Sequence, residues 1–229
     1  TAPINMGLSF SIGYLLLMFS LRGYSRKKKY VFASIGFAVF WTMTMHWLAL
    51  IDVGFLLYQR ILIFLGMLLL TAVTGFIWGL PFLALNTETE EVYLLPFMAA
   101  GIEFLLSIEN NTAFLWFTPG HSLIRYLPLA QLADIGGSYI LTALALMFSV
   151  LVYRIFTVKK IQAVMNMVIL LIISVFAILY GFYRLNAPIE GETRSITIVQ
   201  PDVPGFIKDN QGELYEQRRR VIRDMLNKA

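Results

Sequence analysis

Long uninterrupted apolar runs are the feature that most restricts how this chain can fold. Five of six such runs contain no Asp, Glu, Lys or Arg, and the remaining one contains only Glu103. A helix needs about 20 mostly apolar residues to cross the hydrocarbon core of a bilayer. The pattern therefore predicts an all-α polytopic transmembrane bundle of about six helices, over residues 4–21, 31–51, 61–85, 92–108, 135–153 and 161–183.

The overall composition agrees with a membrane protein and excludes several other classes. Apolar residues make up 58% of the chain and charged residues 14%, whereas soluble domains carry about 25% charged residues. The 18 Phe, 11 Tyr and 4 Trp exclude a disordered chain. The formal charge of +4 does not indicate nucleic-acid binding, because much of the basic charge lies in one short stretch rather than along a face.

Conventional catalytic and metal-binding motifs are missing from the sequence. It contains no cysteine, which excludes disulfides, a thiolate metal site and a cysteine nucleophile within these residues. It contains only two histidines, which excludes a histidine-rich metal site. We therefore expect no metal and no cofactor in this chain.

The basic residues predict which loops face the cytoplasm. One group follows the first run and another follows the fifth, and loops rich in Lys and Arg are typical of the cytoplasmic side. The two groups comprise Arg22, Arg26, Lys27, Lys28 and Lys29, and Arg154, Lys159 and Lys160. Four predicted crossings separate the two groups. Because an even number of crossings returns the chain to the same side, both groups predict the same orientation. Loop 86–91 should share their side although it carries only acids, and residues from 184 onward should lie outside the cytoplasm.

The polar C-terminal part differs from the rest of the chain. Residues 195–200 alternate apolar and polar side chains with β-branched choices, which indicates a strand. Residues 212–227 are strongly charged with apolar residues on one face, which indicates an amphipathic helix. One strand and one helix cannot fold alone. We interpret residues 184–229 as the opening unit of an extracytoplasmic α/β domain that continues past Ala229, and the chain as a fragment.

Two residues near the predicted outer ends of the runs are candidates for contact with lipid or substrate. Glu103 lies inside the fourth run, where an ionisable group is costly and is by default a functional hypothesis. The alternative is a structural carboxylate, hydrated from the nearby loop or paired with Arg125. Trp47 either faces lipid headgroups or an acyl chain, or serves as an interfacial anchor.

The long outer loop over residues 109–134, together with the start of the fifth run, supplies the other candidates. Its aromatic content argues against disorder and favours an amphipathic segment among the headgroups. Asp134 is predicted to cap the fifth helix. Gly136 and Gly137 are predicted to let two helix backbones approach closely. The candidates to face lipid or substrate in this loop are Trp116, His121 and Gln131.

The most distinctive segment resembles part of a known enzyme family. Residues 131–141 (QLADIGGSYIL) follow an aromatic loop that contains Trp116 and residues 119–122 (PGHS). This arrangement is similar to the last periplasmic loop and the following helix start of the apolipoprotein N-acyltransferases.

Three further features in the same order resemble that family. Residues 47–55 are similar to its Trp-containing outer loop, and Glu103 matches a Glu in the helix before the long loop. Residues 196–204 (ITIVQPDVP), with Lys208, resemble the first strand of its nitrilase-like domain. Leu106 departs from the family pattern, which has Arg at this place, so the partner of Glu103 is not implied.

The resemblance implies a reaction and its partners. These enzymes take an acyl chain from a phospholipid in the outer leaflet of the bacterial inner membrane. They transfer it through a thioester to the N-terminal amine of a diacylglyceryl-cysteine lipoprotein, using a Glu–Lys–Cys triad. No catalytic residue can be placed on this sequence, which would supply the membrane portion and the start of the nitrilase-like domain. The implied partners are the phospholipid, the lipoprotein N-terminus and the bilayer, and no nucleic acid.

Two other functions stay open at the level of sequence. The chain could be a non-enzymatic membrane scaffold or anchor for an enzyme that acts on lipid substrates. It could also be a small transporter, which ranks last because the sequence shows neither repeated halves nor Gly/Pro-broken helices at mid-membrane.

Overall fold

The computed structural model describes residues 9–47, 57–108, 118–188 and Arg223, and their regular structure is helical throughout. Short 3-10 helices at Glu90–Leu94 and Pro119–Leu123 precede α4 and α5. The strand and helix predicted over residues 195–200 and 212–227 lie outside the described residues, apart from Arg223. The α-helices are α1 (Ser9–Ser20), α2 (Arg26–Met45), α3 (Leu57–Ala84), α4 (Leu95–Ile108), α5 (Leu127–Ala130), α6 (Ala133–Thr157) and α7 (Lys160–Leu185).

Four segments among the described residues are long and apolar enough to cross a membrane: Leu57–Ala84, Glu90–Ile108, Ala133–Thr157 and Lys160–Leu185. The predicted number of about six is therefore too high for this part of the chain. The described part of α1 has 12 residues and so spans about 18 Å at 1.5 Å per residue, short of a hydrocarbon core of about 30 Å. The first turn of α2 is Arg26–Lys29, which leaves the apolar part of that helix shorter than a full span.

The chain divides into two compact units. The larger, called the main unit below, comprises Thr1–Thr44 and Leu68–Pro188, and the smaller comprises Met45–Met67 and Ile189–Ala229. Most of α2, the later part of α3 and all the other helices belong to the main unit. Every side-chain contact discussed below lies within it.

Two glycines one helical turn apart bring α3 against α2 in the main unit. A side-chain carbon at Gly75 would lie 2.5 Å from the carbonyl oxygen of Ser34 and 2.8 Å from the backbone nitrogen of Ala38. A side-chain carbon at Gly79 would overlap the Ser34 hydroxyl. Gly-x-x-x-Gly spacing promotes such close packing in lipid, where van der Waals contact replaces the hydrophobic effect. This pair was available in the sequence and was missed there.

The glycines that the sequence analysis assigned to close helix packing have a different role. Gly136 and Gly137 break α6 with non-helical backbone angles, and Gly137 has φ of +64°, a conformation that side chains other than glycine rarely adopt. A side-chain carbon at Gly136 would meet only Ile140 of the same helix, at an ordinary 3.7 Å. The predicted close approach at these two glycines is therefore wrong. They form a kink between the Asp134 turn and the rest of α6.

Candidate functional site

Glu103 is buried in the main unit and satisfied by two neutral hydroxyls. Its side chain on α4 is 2% exposed. The Ser138 hydroxyl donates to Oε1 at 2.8 Å, and the Thr142 hydroxyl donates to Oε2 in a short hydrogen bond, both from α6. Arg125, the partner considered from the sequence, is exposed and forms no ion pair with Glu103. The carboxylate thus joins α4 to α6 without a cationic partner among the described residues.

The same hydroxyl of Thr142 also fixes the segment between α4 and α6. The backbone N–H of Gly120 donates to Thr142 Oγ1 at 2.8 Å. A side-chain carbon at Gly120 would lie 2.6 Å from the Ser138 carbonyl oxygen, so only glycine fits here. A chain of hydrogen bonds therefore runs from the 3-10 helix Pro119–Leu123 through α6 to Glu103. These four residues, Gly120, Glu103, Ser138 and Thr142, are called the Glu103 cluster.

A groove of about 580 Å³ lies beside this cluster, between α1, α2 and the segment 118–122. Its volume falls in the range of about 300–1,000 Å³ that is typical of small-molecule sites. Apolar and aromatic side chains form most of its wall. Its lining comprises Ser9, Phe10, Gly13, Tyr14, Leu17, Gly36, Phe37, Phe40, Thr118, His121 and Ser122.

The polar side of the groove contains a hydroxyl with unused hydrogen-bonding capacity. Thr118 is 3% exposed, and its Oγ1 has no partner in the described structure. Ser122 already donates its hydroxyl to the Pro119 carbonyl oxygen at 2.6 Å. His121 is exposed and lines the groove beside them. The unpaired Thr118 hydroxyl is buried behind the groove surface, which is costly, and the exposed His121 is the polar side chain that this wall offers to a ligand.

Asp134 and Gln131 lie near the kink of α6 and have local partners. Asp134 lies in the first turn of α6 but does not cap it, because Leu132 holds the N-cap position and no backbone N–H of the described residues donates to the Asp134 carboxylate. Its Oδ2 instead pairs with Arg184 Nε at 2.8 Å and accepts a hydrogen bond from the Tyr180 hydroxyl at 3.0 Å, both on α7. Gln131 is half-buried and donates from Nε2 to the Leu127 carbonyl oxygen at 3.3 Å. Neither residue lines the groove.

The two tryptophan candidates cannot be assigned to the groove. Trp47 is 38% exposed and belongs to the smaller unit. Trp116 lies outside the described residues. Among the predicted candidates the structure brings together Glu103 and His121, through the Gly120 segment. It adds Ser138, Thr142 and Thr118, whose hydroxyls carry no sequence signal of their own.

Ion pairs join the start of α2 to loop 86–91 at the end of the main unit away from the Glu103 cluster. Lys29 on α2 is 2% exposed, and its ammonium group donates to Glu88 Oε1 at 2.6 Å and to the Thr87 hydroxyl at 2.9 Å. The Gly23 backbone N–H donates to the same Glu88 oxygen at 2.8 Å. The Lys29 bond first and the Gly23 bond second lower the pKa of the Glu88 carboxyl below its ordinary value.

Two arginines extend this ionic contact to other elements. Arg26 pairs with Glu91 at 3.1 Å and donates to the Ala84 carbonyl oxygen at 3.1 Å. Arg154 at the end of α6 donates to the Glu88 carbonyl oxygen at 3.2 Å. We call Arg26, Lys29, Glu88, Glu91 and Arg154 the Lys29 cluster. Two acids of loop 86–91, Glu88 and Glu91, thus lie against basic residues that the sequence predicts to be on the same side of the membrane.

Comparison with known proteins identifies relatives. Residues 1–151 match the family described as the apolipoprotein N-acyltransferase N-terminal domain. The apolipoprotein N-acyltransferase of Geobacter metallireducens (strain ATCC 53774 / DSM 7210 / GS-15) is 34% identical over 118 residues, which cover 49% of this chain and 22% of the relative. The matched region is therefore a small part of that relative's length. No solved structure matches the chain significantly.

Proposed function

Because the chain belongs to the apolipoprotein N-acyltransferase N-terminal domain family, we propose that it forms the membrane part of an acyl-transferring enzyme. The donor is a phospholipid, and the acceptor is the N-terminal amine of a diacylglyceryl-cysteine lipoprotein. Both substrates carry long acyl chains and a polar end, so the membrane part must offer a surface that fits both properties.

The observation that carries this proposal is the groove between α1, α2 and residues 118–122. Its wall is largely aromatic and aliphatic, including Phe10, Phe37 and Phe40, which suits an acyl chain. Its polar side is formed by Thr118, His121 and Ser122, of which His121 is exposed. An acyl chain in the groove would therefore place its ester end beside residues 118–122, where His121 is exposed.

Glu103 acts in this proposal as a positioning residue. It holds the Thr142 hydroxyl, which accepts the Gly120 N–H and so fixes the segment that carries Thr118 and His121. Positioning a reactive ester matters because an error of about 1 Å in a bound geometry costs roughly a hundredfold in rate. Glu103 is thus assigned to the support of the groove rather than to chemistry.

The chemical step is assigned to residues outside this sequence. In the thioester route, a thiolate attacks the donor ester and releases the lysophospholipid, and the acceptor amine then attacks the thioester and releases the thiol. The sequence contains no cysteine, so we propose that another part of the protein supplies the thiol. Trp47, Trp116 and Gln131 remain candidates for contact with lipid or substrate around that part.

The proposal also requires an orientation in the bacterial inner membrane. The Lys29 cluster lies on the cytoplasmic side, as Lys- and Arg-rich segments usually do. Residues 184–229 lie on the periplasmic side, where they begin the nitrilase-like domain. Single cysteines at Ser25 and Gly205 test this in intact spheroplasts: the Gly205→Cys variant should react with a membrane-impermeant thiol reagent and the Ser25→Cys variant should not. The reverse labelling would refute the orientation.

Filling the groove tests the substrate assignment. Gly36 lines the groove, and a side-chain carbon there would meet only Leu17, at 3.8 Å. In the full-length protein, we expect Gly36→Leu to lower transfer of acyl chains to a diacylglyceryl lipopeptide by about tenfold or more, since it occupies the volume of several methylenes. Transfer is followed by mass spectrometry of the lipopeptide.

A matched control separates occupation of the groove from an effect on the helix. Gly101 on α4 also has open space around it but does not line the groove. Gly101→Leu should leave acyl transfer within about twofold of the parent rate. Equal activity of both variants would exclude the groove as the acyl site. Absence of transfer by the unmodified full-length protein would refute the enzymatic function and favour the scaffold.

A further inference from the structure

Two lysines at the start of α2 differ from their neighbours in the same basic run. Arg26 and Lys29 turn toward loop 86–91 and pair with Glu91 and Glu88. Lys27 and Lys28 are exposed, and neither forms an ion pair or hydrogen bond with another described residue. Half of the run is therefore used internally, and the other half presents two ammonium groups to the surroundings.

These two lysines border a small groove of about 260 Å³. Tyr24, Val31 and Phe32 complete its lining. The rings of Tyr24 and Phe32 contact each other with their centroids 5.4 Å apart. All three apolar residues are nearly half exposed, between 45% and 48%. The surface thus combines two cations with exposed apolar side chains.

The apolar surface continues along α2 away from the lysines. Ile35 and Val39, at 54% and 47% exposure, follow Val31 and Phe32 at helical spacing. Both line a second groove of about 450 Å³ between α2 and α3, in which Leu68 and Phe76 also take part. A single side of α2 therefore begins with positive charge and proceeds into apolar grooves.

We propose that this side of α2 binds one anionic glycerophospholipid from the leaflet at the Lys29 end. The phosphate lies between the ammonium groups of Lys27 and Lys28, and the glycerol and the start of an acyl chain lie against Tyr24 and Phe32. The rest of that chain follows Ile35 and Val39 along the groove between α2 and α3. The site is separate from the groove assigned to the acyl donor, and the inference does not depend on acyl transfer.

Charge complementarity selects this occupant. A Lys ammonium is a compact point charge that binds phosphate, and Lys or Arg near a membrane surface attracts anionic lipid. A zwitterionic headgroup such as phosphatidylethanolamine carries an ammonium group of its own. Bringing it close to the ammonium groups of Lys27 and Lys28 is unfavourable because like charges repel. A soluble anion would satisfy the lysines but would leave the apolar side chains below them unused.

The test compares lipids that differ only in headgroup charge. The protein is placed in nanodiscs with equal amounts of phosphatidylglycerol and phosphatidylethanolamine of the same acyl chains, and retained lipid is measured by native mass spectrometry. We expect phosphatidylglycerol to be retained preferentially. Lys27→Gln/Lys28→Gln should lower that retention roughly tenfold or more, as expected from the loss of two cations near an anionic surface. Nanodiscs expose both faces of the protein to the same lipids, so its orientation cannot contribute.

Two further variants decide whether the site is specific. Lys159 and Lys160 are likewise exposed and do not line this groove, so Lys159→Gln/Lys160→Gln should leave retention unchanged. Phe32→Ala should lower retention severalfold although both lysines remain. Equal losses from the two lysine pairs would show a general charge effect and overturn the proposal. Equal retention of the two lipids, or no effect of Phe32→Ala, would also overturn it.

Discussion

The two polar clusters of the main unit use different chemistry, and both involve α6. At the Lys29 cluster, ion pairs join α2 to the segment before α4, and Arg154 near the end of α6 donates to the Glu88 carbonyl oxygen. At the Glu103 cluster, a carboxylate that is 2% exposed is satisfied by hydroxyls and supports a loop. Thr142 and Arg154 are 12 positions apart on α6, a separation of about 18 Å along the helix axis.

The difference reflects solvent access and role. At the Lys29 cluster, Lys29 and Arg154 are buried, but Glu88 and Arg26 remain partly hydrated, with side-chain exposures of 40% and 49%. Partly exposed ion pairs of this kind contribute little to stability. Their basic residues are consistent with the predicted cytoplasmic position of this end of the main unit. At the Glu103 cluster, Glu103 and Thr142 are almost fully buried, so its geometry is more sensitive to the loss of an atom. The following predictions test this contrast, beginning with the largest expected effect.

Close packing between α5 and α7 should be the least tolerant feature of the main unit. A side-chain carbon at Gly181 on α7 would overlap the carbonyl oxygen of Pro128 on α5. We expect Gly181→Ala to lower the free energy of unfolding by about 3 kcal/mol, because the overlap is with backbone. Gly101→Ala, with open space around it, should leave stability unchanged or raise it by about 0.5–1 kcal/mol. Denaturation in mixed detergent micelles measures both, and equal effects would contradict the assigned packing.

Removal of the Glu103 carboxylate should release the segment that it supports. Glu103→Ala leaves the hydroxyls of Ser138 and Thr142 without their acceptor, so we expect a loss of about 2 kcal/mol. Hydrogen exchange at Gly120 should become faster, because its acceptor Thr142 is no longer fixed. Glu103→Gln keeps an acceptor oxygen and should recover part of the loss. Unchanged hydrogen exchange at Gly120 in the Glu103→Ala variant would show that Glu103 does not fix this segment.

The buried lysine should contribute less than the buried glutamate. Lys29→Met removes the cation and retains the apolar stem, while Glu88 stays hydrated because its side chain is 40% exposed. We expect a loss of about 1 kcal/mol, and a smaller one of about 0.3 kcal/mol for Arg26→Gln, whose pair with Glu91 is exposed on both sides. Chemical denaturation of the two variants provides the measurement. If Lys29→Met lowered the free energy of unfolding more than Glu103→Ala does, the Lys29 cluster would contribute more to stability than the Glu103 cluster, contrary to this prediction.

The smallest expected effect is the loss of the stability that Glu88 contributes to the Lys29 cluster as the pH falls. The pKa of Glu88 is lower in the folded protein than in the unfolded chain, mainly because of the Lys29 hydrogen bond. Its contribution to stability is therefore complete above the ordinary carboxyl pKa and is lost as pH falls through the lowered folded value. Glu88→Gln should remove this part of the acid sensitivity, as measured by thermal unfolding between neutral and acid pH. Identical pH profiles of the two proteins would contradict the lowered pKa.

The membrane character could be predicted from the sequence, which also offered Glu103 and His121 as candidates, but the contacts of these residues could not be predicted. Uncharged runs of about 20 residues indicate helices able to cross a membrane, and each of the four described spans overlaps a predicted run. Glu103 was recognisable because an ionisable residue in an apolar run is rare. Its hydroxyl partners were not, since Ser138 and Thr142 are ordinary polar residues whose importance depends on facing α4.

The features that the sequence determined by itself are local. They are the apolar helical runs, the basic segments predicted on one side of the membrane, and the family pattern over residues 1–151. These follow from the solvent preferences of individual side chains, which act regardless of which neighbours they meet. Only the tertiary structure decided that Asp134 pairs with Arg184 instead of capping its helix, and that Gly136 and Gly137 form a kink while Gly75 and Gly79 pack closely. Such choices depend on which atoms lie within a few ångströms across different helices, and residues far apart in sequence set those distances.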